Sequence, residues 1–118
     1  DFGNLKLFES LVRQYTQQDQ HPYFPVELHV LRIGDVAFAT NPFELFVDYG
    51  FRITGRSKAK QTFLVQLCGG NGGYLPTQRA IEGKGYRGYS AIGNKVGPEG
   101  GQVLVEETVN LINSLWSN

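Results

Sequence analysis

The sequence contains no methionine, one cysteine and no long apolar run, and each shortage narrows the class of protein. Because Cys68 is the single cysteine, no disulfide can form within the chain. A bilayer-spanning helix needs about 20 consecutive apolar residues, and no segment approaches that length, so we expect a soluble protein that is not transmembrane. The lack of methionine and the start at Asp1 predict an upstream segment: a removed signal or pro-segment, a cleaved partner chain, or the earlier part of a longer protein. A secreted or periplasmic location would fit a removed signal, although the sequence does not fix the compartment.

The charge balance argues against one class of partner, and the length indicates the number of domains. Eleven basic and eleven acidic residues cancel, and no basic stripe is present, so nucleic acid is not expected as a partner. A chain of 118 residues suits one domain and can bury roughly two-thirds of the surface that it exposes when unfolded. We therefore expect residues 1–118 to form a single domain.

Hydrophobic periodicity predicts alternating helices and strands. Leu5, Phe8, Leu11, Val12 and Tyr15 recur at helical spacing, which predicts an amphipathic helix over residues 4–18. In chain order, the remaining pattern predicts strands over 26–33 and 36–40, a helix from 41 to about 55, a strand over 62–67, and helices over 77–82 and 98–116.

The order of these elements predicts the fold class. A Gly-Asp turn at residues 34–35 joins the first two strands as an antiparallel hairpin. The helix between the second and third strands forms a βαβ unit, so those two strands should run parallel. We expect an α/β fold in which helices pack on a small mixed sheet of about three or more strands, with a glycine-rich loop at the strand ends.

Two side chains with metal-binding chemistry follow the two parallel strands. Glu44 comes after the second strand, in Asn-Pro-Phe-Glu, and Tyr74 comes after the third, in Gly-Gly-Tyr-Leu-Pro-Thr. Because sites gather at the carboxyl ends of parallel strands, these side chains are expected to meet at one edge. A carboxylate and a phenol are oxygen ligands for a metal such as zinc, which takes about four ligands in all. The pair therefore predicts part of a site, beside a loop region, residues 69–101, that holds most of the fifteen glycines.

Three segments also carry a family resemblance: residues 31–37 (LRIGDVA), residues 41–46 (NPFELF), and the stretch from Leu67 through residues 73–77 (GYLPT) to Gly85-Tyr86. Over about residues 24–116 the chain resembles the closing part of the catalytic domain of neutral/alkaline ceramidases. In that family, zinc is held by two histidines from the earlier part of the domain and by a glutamate and a tyrosine from this part. The matching positions are Glu44 and Tyr74.

The resemblance implies amide hydrolysis at a zinc ion. The chain would be the C-terminal portion of a larger catalytic domain, inactive alone, and the upstream segment of the same protein would supply the histidine ligands and the serine nucleophile. Tyr74 would either bind the metal or stabilise the tetrahedral oxyanion, and so is also a catalytic candidate. Amide-containing lipids, or other small amides, are the implied substrates.

Each residue has a structural alternative. Glu44 at the third position of a helix capped by Asn41 would be a capping-box carboxylate, and Tyr74 could cover the core with its hydroxyl in water. His29, on a strand, is expected to be structural, and Cys68 is expected to be a small buried residue. The alternative function is a noncatalytic α/β module that binds a small molecule or a protein. Under either function an exposed sheet edge could pair with a second copy of the chain.

Overall fold

The computed structural model describes residues 2–85 and 94–116. Within them the chain forms four helices and five strands, in the following order: α1 (Phe2–Gln17), β1 (Val30–Ile33), β2 (Val36–Thr40), β3 (Phe43–Leu45), α2 (Val47–Arg56), β4 (Gln61–Val65), β5 (Gly73–Leu75), α3 (Gln78–Glu82) and α4 (Pro98–Ser114). None of the helices in these two ranges has both the length and the apolar character that a membrane crossing requires.

The strands form two sheets, and the predicted mixed α/β fold is confirmed. The first sheet has the order β1-β2-β4, in which β1 and β2 are antiparallel and β2 and β4 are parallel. The hairpin turns at Gly34, whose φ of +59° favours glycine. The second sheet is the parallel pair β3 and β5. Strand β3 follows β2 along the chain, and β5 follows β4. The parallel pair β3–β5 therefore extends the parallel pairing of β2 with β4.

The core lies between one face of the three-stranded sheet and helices α2 and α4. Ala37 and Ala39 of β2 are fully buried on that face, and their small side chains leave room for the helices. Helix α4 contributes Val105 and Ile112, and α2 contributes Ile53, all of them buried. Helices therefore cover one face of this sheet. Because successive side chains of a strand point to opposite faces, the residues that neighbour Ala37 and Ala39 in sequence project from the other face.

The two core helices, α2 and α4, approach each other closely at Tyr49. Its ring is buried, and its hydroxyl donates a hydrogen bond to the carbonyl of Pro76 at 3.0 Å. Burial raises the pKa of the Tyr49 phenol. Gly101 of α4 faces this ring so closely that a Cβ atom there would lie 2.3 Å from the Tyr49 oxygen. A glycine is therefore required on α4 for the helices to pack at this spacing.

Polar contacts fix the carboxyl end of α2 against α4. Arg56 donates two hydrogen bonds to the carboxylate of Glu106, at 2.8 and 2.6 Å. This hydrogen bonding lowers the pKa of the Glu106 carboxyl. The Asn113 amide accepts from the Lys58 N–H at 2.8 Å and donates to the Arg56 carbonyl at 3.1 Å. The last helical carbonyl of α2, that of Arg56, thus finds a partner in a side chain of α4.

The predicted start of the second helix was wrong. The structure has strand β3 at residues 43–45, and α2 begins only at Val47, after the extended N-cap residue Phe46. The Asn41 side chain does not cap a helix, because it accepts from the Phe43 N–H at 3.0 Å and holds a local turn. Glu44 lies on a strand, so its interpretation as a capping-box carboxylate was also wrong.

Other boundaries differ from prediction. The first strand is shorter than expected, because residues 26–29 lie outside the ladder that begins at Val30. Strand β5 was predicted as loop, since a three-residue strand that begins with Gly73 carries no periodicity. Helix α3 agrees well: Thr77 caps it by accepting from the Ala80 N–H at 3.2 Å.

Helix α1 projects from the rest of the chain. It has no extended packing contact with another helix or strand within the described residues. The radius of gyration of 16.0 Å exceeds the roughly 13 Å typical of a compact chain of this length. Leu5, Phe8, Val12 and Tyr15, which mark the apolar stripe of this helix, are all exposed.

We expect Gly101→Ala to lower the free energy of unfolding by about 1–3 kcal/mol, because the new methyl group would overlap the Tyr49 ring in a packed interior. The measurement is urea denaturation followed by circular dichroism.

The matched control is Gly55→Ala in α2, where an added Cβ meets no atom within 4 Å. That change should be neutral or stabilising by up to about 1 kcal/mol, because alanine is the better helix former. Equal effects of the two substitutions would contradict the steric role of Gly101.

Candidate functional site

Glu44 and Tyr74 are direct neighbours in the structure. They are register partners in the parallel ladder of β3 and β5. Neighbouring strands lie about 4.8 Å apart, and register partners project from the same face, so both side chains leave the ladder side by side. Both residues are half-buried. The flanking residues Phe43 and Leu75 project from the opposite face and are buried in the core, which fixes the face that Glu44 and Tyr74 occupy.

A hydrogen-bond network around Asn41 aligns the two strands. The buried Asn41 donates its N–H to the Val65 carbonyl at 3.0 Å and accepts from the Cys68 N–H on its own carbonyl at 3.0 Å. Its side chain accepts from the Phe43 N–H. One residue thus ends the β2–β4 ladder, turns the chain and starts β3. The register that sets Glu44 opposite Tyr74 depends on this turn.

The loop after β4 follows the chain at residues 41–43. The Leu67 N–H donates to the Phe43 carbonyl at 3.3 Å, and the Gly72 N–H donates to the Pro42 carbonyl at 2.7 Å. Gly72 lies against the Phe43 ring, where an added Cβ would come within 2.3 Å of the ring carbons. The glycines in this loop therefore allow the close backbone approach that brings Tyr74 to its place.

The immediate surroundings of the pair are aromatic and amide groups. The rings of Phe46 and Tyr74 meet edge to face, with centroids 6.5 Å apart. On the neighbouring strand end, Gln66 Oε1 accepts from the Leu45 N–H at 2.5 Å. Tyr74 is thus held by packing at its ring, on the face of the ladder opposite to Leu75.

Glu44 and Tyr74 offer two oxygen donors, which is half of a mononuclear zinc site. Residues 2–85 and 94–116 contain no group of three or more His, Cys, Asp or Glu side chains that could hold a metal ion. His29 lies on the surface, where its Nε2 is 2.7 Å from the Glu27 carboxylate. His21 is exposed in the segment after α1. The donor set of this pair fits part of a zinc site, and its other ligands would have to come from elsewhere.

The sequence analysis also named Tyr86 and Cys68, and neither belongs to the pair of candidate ligands. Tyr86, in the motif that extends the family resemblance, lies outside the described residues. Cys68 is half-buried, and its N–H belongs to the Asn41 network. The Cys68 backbone thus takes part in the turn, and its side chain is less buried than expected.

An apolar cleft was not predicted from the sequence. It has a volume of about 490 Å³ and lies between the extended segment 22–28 and α4. Phe24, Leu28 and Val103 contribute to its walls, and Lys95 lies at its border. Neither Glu44 nor Tyr74 lines this cleft. Sequence periodicity gave no signal for it, because residues 22–28 lie in no regular element and the cleft forms only when they pack beside α4.

Comparison with known proteins finds no matching family model, no matching curated protein and no matching solved structure. The resemblance to the ceramidase family therefore rests on the sequence motifs alone and stays a prediction.

We expect Asn41→Ala to lower the free energy of unfolding by about 1–3 kcal/mol, because it leaves the buried Phe43 N–H without a partner. Urea denaturation measures the loss. Amide signals of residues 43–45 and 73–75 should also shift in NMR spectra, since the turn aligns both strands.

The control is Asn71→Ala, because Asn71 makes the same type of turn bond to the Gly73 N–H at 3.0 Å but in an exposed loop. Its loss should cost less than about 0.5 kcal/mol, since water replaces the bond. A similar cost for both substitutions would show that Asn41 does not have this special role.

Proposed function

We propose that this chain supplies two protein ligands, Glu44 and Tyr74, to the zinc site of an amide hydrolase that resembles neutral ceramidase. The single observation that supports the proposal is their adjacency in the ladder of β3 and β5. Two strand ends that are far apart in sequence bring a carboxylate and a phenol to the same face. The alternation that buries Phe43 and Leu75 holds both side chains on that face.

The two residues have different roles in this proposal. Glu44 binds the cation through its carboxylate and contributes negative charge to the site. Tyr74 either completes the ligand set or donates its phenolic hydrogen bond to the oxyanion that develops on the substrate carbonyl. The Phe46 ring restricts the movement of Tyr74, which favours preorganisation of that donor. When bound, zinc lowers the pKa of a water molecule and polarises the amide carbonyl.

The remaining parts of the site belong to the upstream segment of the same protein in this proposal. That segment would supply the histidine ligands and the serine nucleophile that the family resemblance implies. The chain alone is then inactive, and its substrates within the complete domain are amide-containing lipids or other small amides. The fold alone does not imply an activity, so the proposed function depends on the chemistry of Glu44 and Tyr74.

Zinc titration followed by NMR tests the two ligands directly. We expect added Zn²⁺ to shift the amide signals of residues 43–45 and 73–75 with weak affinity, because only half of a ligand set is present. Glu44→Gln and Tyr74→Phe should each weaken the binding at least about tenfold, since even outer-shell partners of a metal are worth 10- to 100-fold in affinity.

The controls are Glu9→Gln and Tyr23→Phe, which make the same chemical changes at exposed positions. All variants should carry His29→Gln, because the surface pair of Glu27 and His29 could bind zinc independently. Shifts that persist in Glu44→Gln, or that appear only outside the two strands, would contradict the proposed ligands.

The cleft between the segment 22–28 and α4 favours a second candidate, a noncatalytic module that binds a small apolar molecule. Its volume of about 490 Å³ falls within the range of small-molecule sites. Its walls are mainly apolar, and Lys95 Nζ lies 5.4 Å from the Phe24 ring centre at the border, where it could meet an anionic group. A fatty acid combines these two properties.

Under this second candidate, dodecanoate should bind in the cleft, and Val103→Phe should weaken binding about tenfold or more by filling it. Isothermal titration calorimetry measures the affinity. Val47→Phe is the control, because Val47 is about as exposed as Val103, at 63% against 60%, and does not line the cleft. Equal affinity of both variants would exclude this site.

A further inference from the structure

The structure leaves a second apolar surface open, on the three-stranded sheet. We define the open sheet face as Leu31, Ile33, Phe38, Phe63 and Val65, which strand alternation places on the side opposite the buried Ala37 and Ala39. Phe38 and Phe63 stack on it with ring centres 5.2 Å apart. Leu31 and Ile33 are 57% and 60% exposed. An apolar area of this kind, continuous over three strands, is typical of an interaction surface.

Helix α1 has the complementary surface. We define the α1 stripe as Leu5, Phe8, Val12 and Tyr15, all exposed on one side of the helix. Polar side chains of α1 face the rest of the chain: Gln14 donates to the Asn94 carbonyl at 3.2 Å, and Ser10 and Arg13 line the adjoining cleft. The helix thus turns these four side chains away from its own chain, whereas Leu11 is half-buried.

We propose that the chain forms a two-fold dimer in which the α1 stripe of each copy covers the open sheet face of the other. The dimensions agree. The ten helical steps from Leu5 to Tyr15 span about 15 Å, and a five-residue strand such as β2 or β4 is about 16 Å long. A single α1 stripe can therefore cover the open sheet face along its strands.

A contact between copies is favoured, because the carboxyl end of α1 is tethered to a segment on the helix-covered side of its own sheet. Phe24, Val26 and Leu28 pack against the core, and Pro22 and Phe24 lie in the cleft beside α4, on the helix-covered side. Residues 18–21 alone connect this anchored segment to α1, and the five steps from Gln17 to Pro22 span at most about 18 Å. Reaching its own open sheet face would pull the segment 22–28 out of the core. Exchange of α1 between copies avoids that cost.

The area agrees with a stable dimer. The exposed large side chains of the α1 stripe and the open sheet face would each bury on the order of 100 Å², which gives roughly 1,600 Å² over the two equivalent contacts. Specific interfaces bury about 1,200–2,000 Å². The polar side of α1 carries Lys6 and Arg13 but also Glu9, so it lacks the strongly basic character of a helix that binds anionic membranes. These features favour a second copy over a membrane as the occupant.

The first test is sedimentation of the intact chain over micromolar to about 100 µM concentration. We expect a species of twice the 13.2 kDa chain mass. Val12→Glu in the α1 stripe and Phe63→Glu in the open sheet face should each raise the dissociation constant at least about 100-fold, because each buries a carboxylate without a partner.

The matched controls are Ser10→Glu, on the polar side of the same helix, and Phe51→Glu, at a phenylalanine that is 68% exposed on α2. Both should remain dimeric. Circular dichroism and urea denaturation of each variant show that dissociation does not result from unfolding.

Mixing the two monomeric variants distinguishes exchange from other associations. The mixed dimer retains one intact contact, in which α1 of Phe63→Glu covers the sheet of Val12→Glu. We therefore expect mixed dimers at concentrations where each variant alone is monomeric. A helix-to-helix dimer would lose association only with Val12→Glu and would not recover on mixing, which would overturn the proposal.

Three further results would also overturn the proposal. The intact chain could remain monomeric at 100 µM, either sheet or stripe variant could remain dimeric, or a monomeric chain could bind phosphatidylcholine–phosphatidylglycerol vesicles through α1 with loss of binding in Val12→Glu. The last result would assign the α1 stripe to a membrane surface. None of these measurements depends on zinc or on the roles of Glu44 and Tyr74.

Discussion

The turn at Asn41 is the constraint on which the arrangement of the strands depends. Its three hydrogen bonds join β4, the start of β3 and the loop at Cys68. Because the side chain is buried, each of these bonds forms without competition from water. The chain can therefore leave one ladder and begin another within two residues. The adjacency of Glu44 and Tyr74 is a consequence of this turn.

The helical layer depends on a second close approach, between Tyr49 and Gly101. The Tyr49 hydroxyl bonds to the Pro76 carbonyl, directly after β5. The same ring that sets the distance between α2 and α4 therefore also holds the end of the strand that carries Tyr74. The candidate site is thus supported from two sides, by the Asn41 turn at the start of β3 and by the Tyr49 bond at the end of β5.

Periodicity predicted the α/β class, the β1–β2 hairpin, the parallel pairing of β2 with β4 and the cap at Thr77, because these follow from local patterns or short connections. It failed at residues 41–46. Asn, Pro and Glu at helix-start spacing are equally compatible with a turn into a strand, and the choice depends on Val65 and residues 66–75, which lie far away in sequence. The positions of Glu44 and Tyr74 on neighbouring strand ends were predictable, whereas their shared register in a second ladder was not.

The α1 stripe and the open sheet face also show that a local sequence pattern does not determine which distant element it contacts. The stripe of Leu5, Phe8, Val12 and Tyr15 is a strong local signal, and it correctly predicts a helix. An amphipathic pattern states that an apolar side will be covered, but it does not state by which element. Within the described residues the helix packs through its polar side, while a sheet face of matching length stays open. Since most helix stability in proteins comes from packing of the apolar side, an isolated α1 would be marginal in water. A reciprocal contact between copies would cover both the α1 stripe and the open sheet face, and the segment 22–28 would stay in the core.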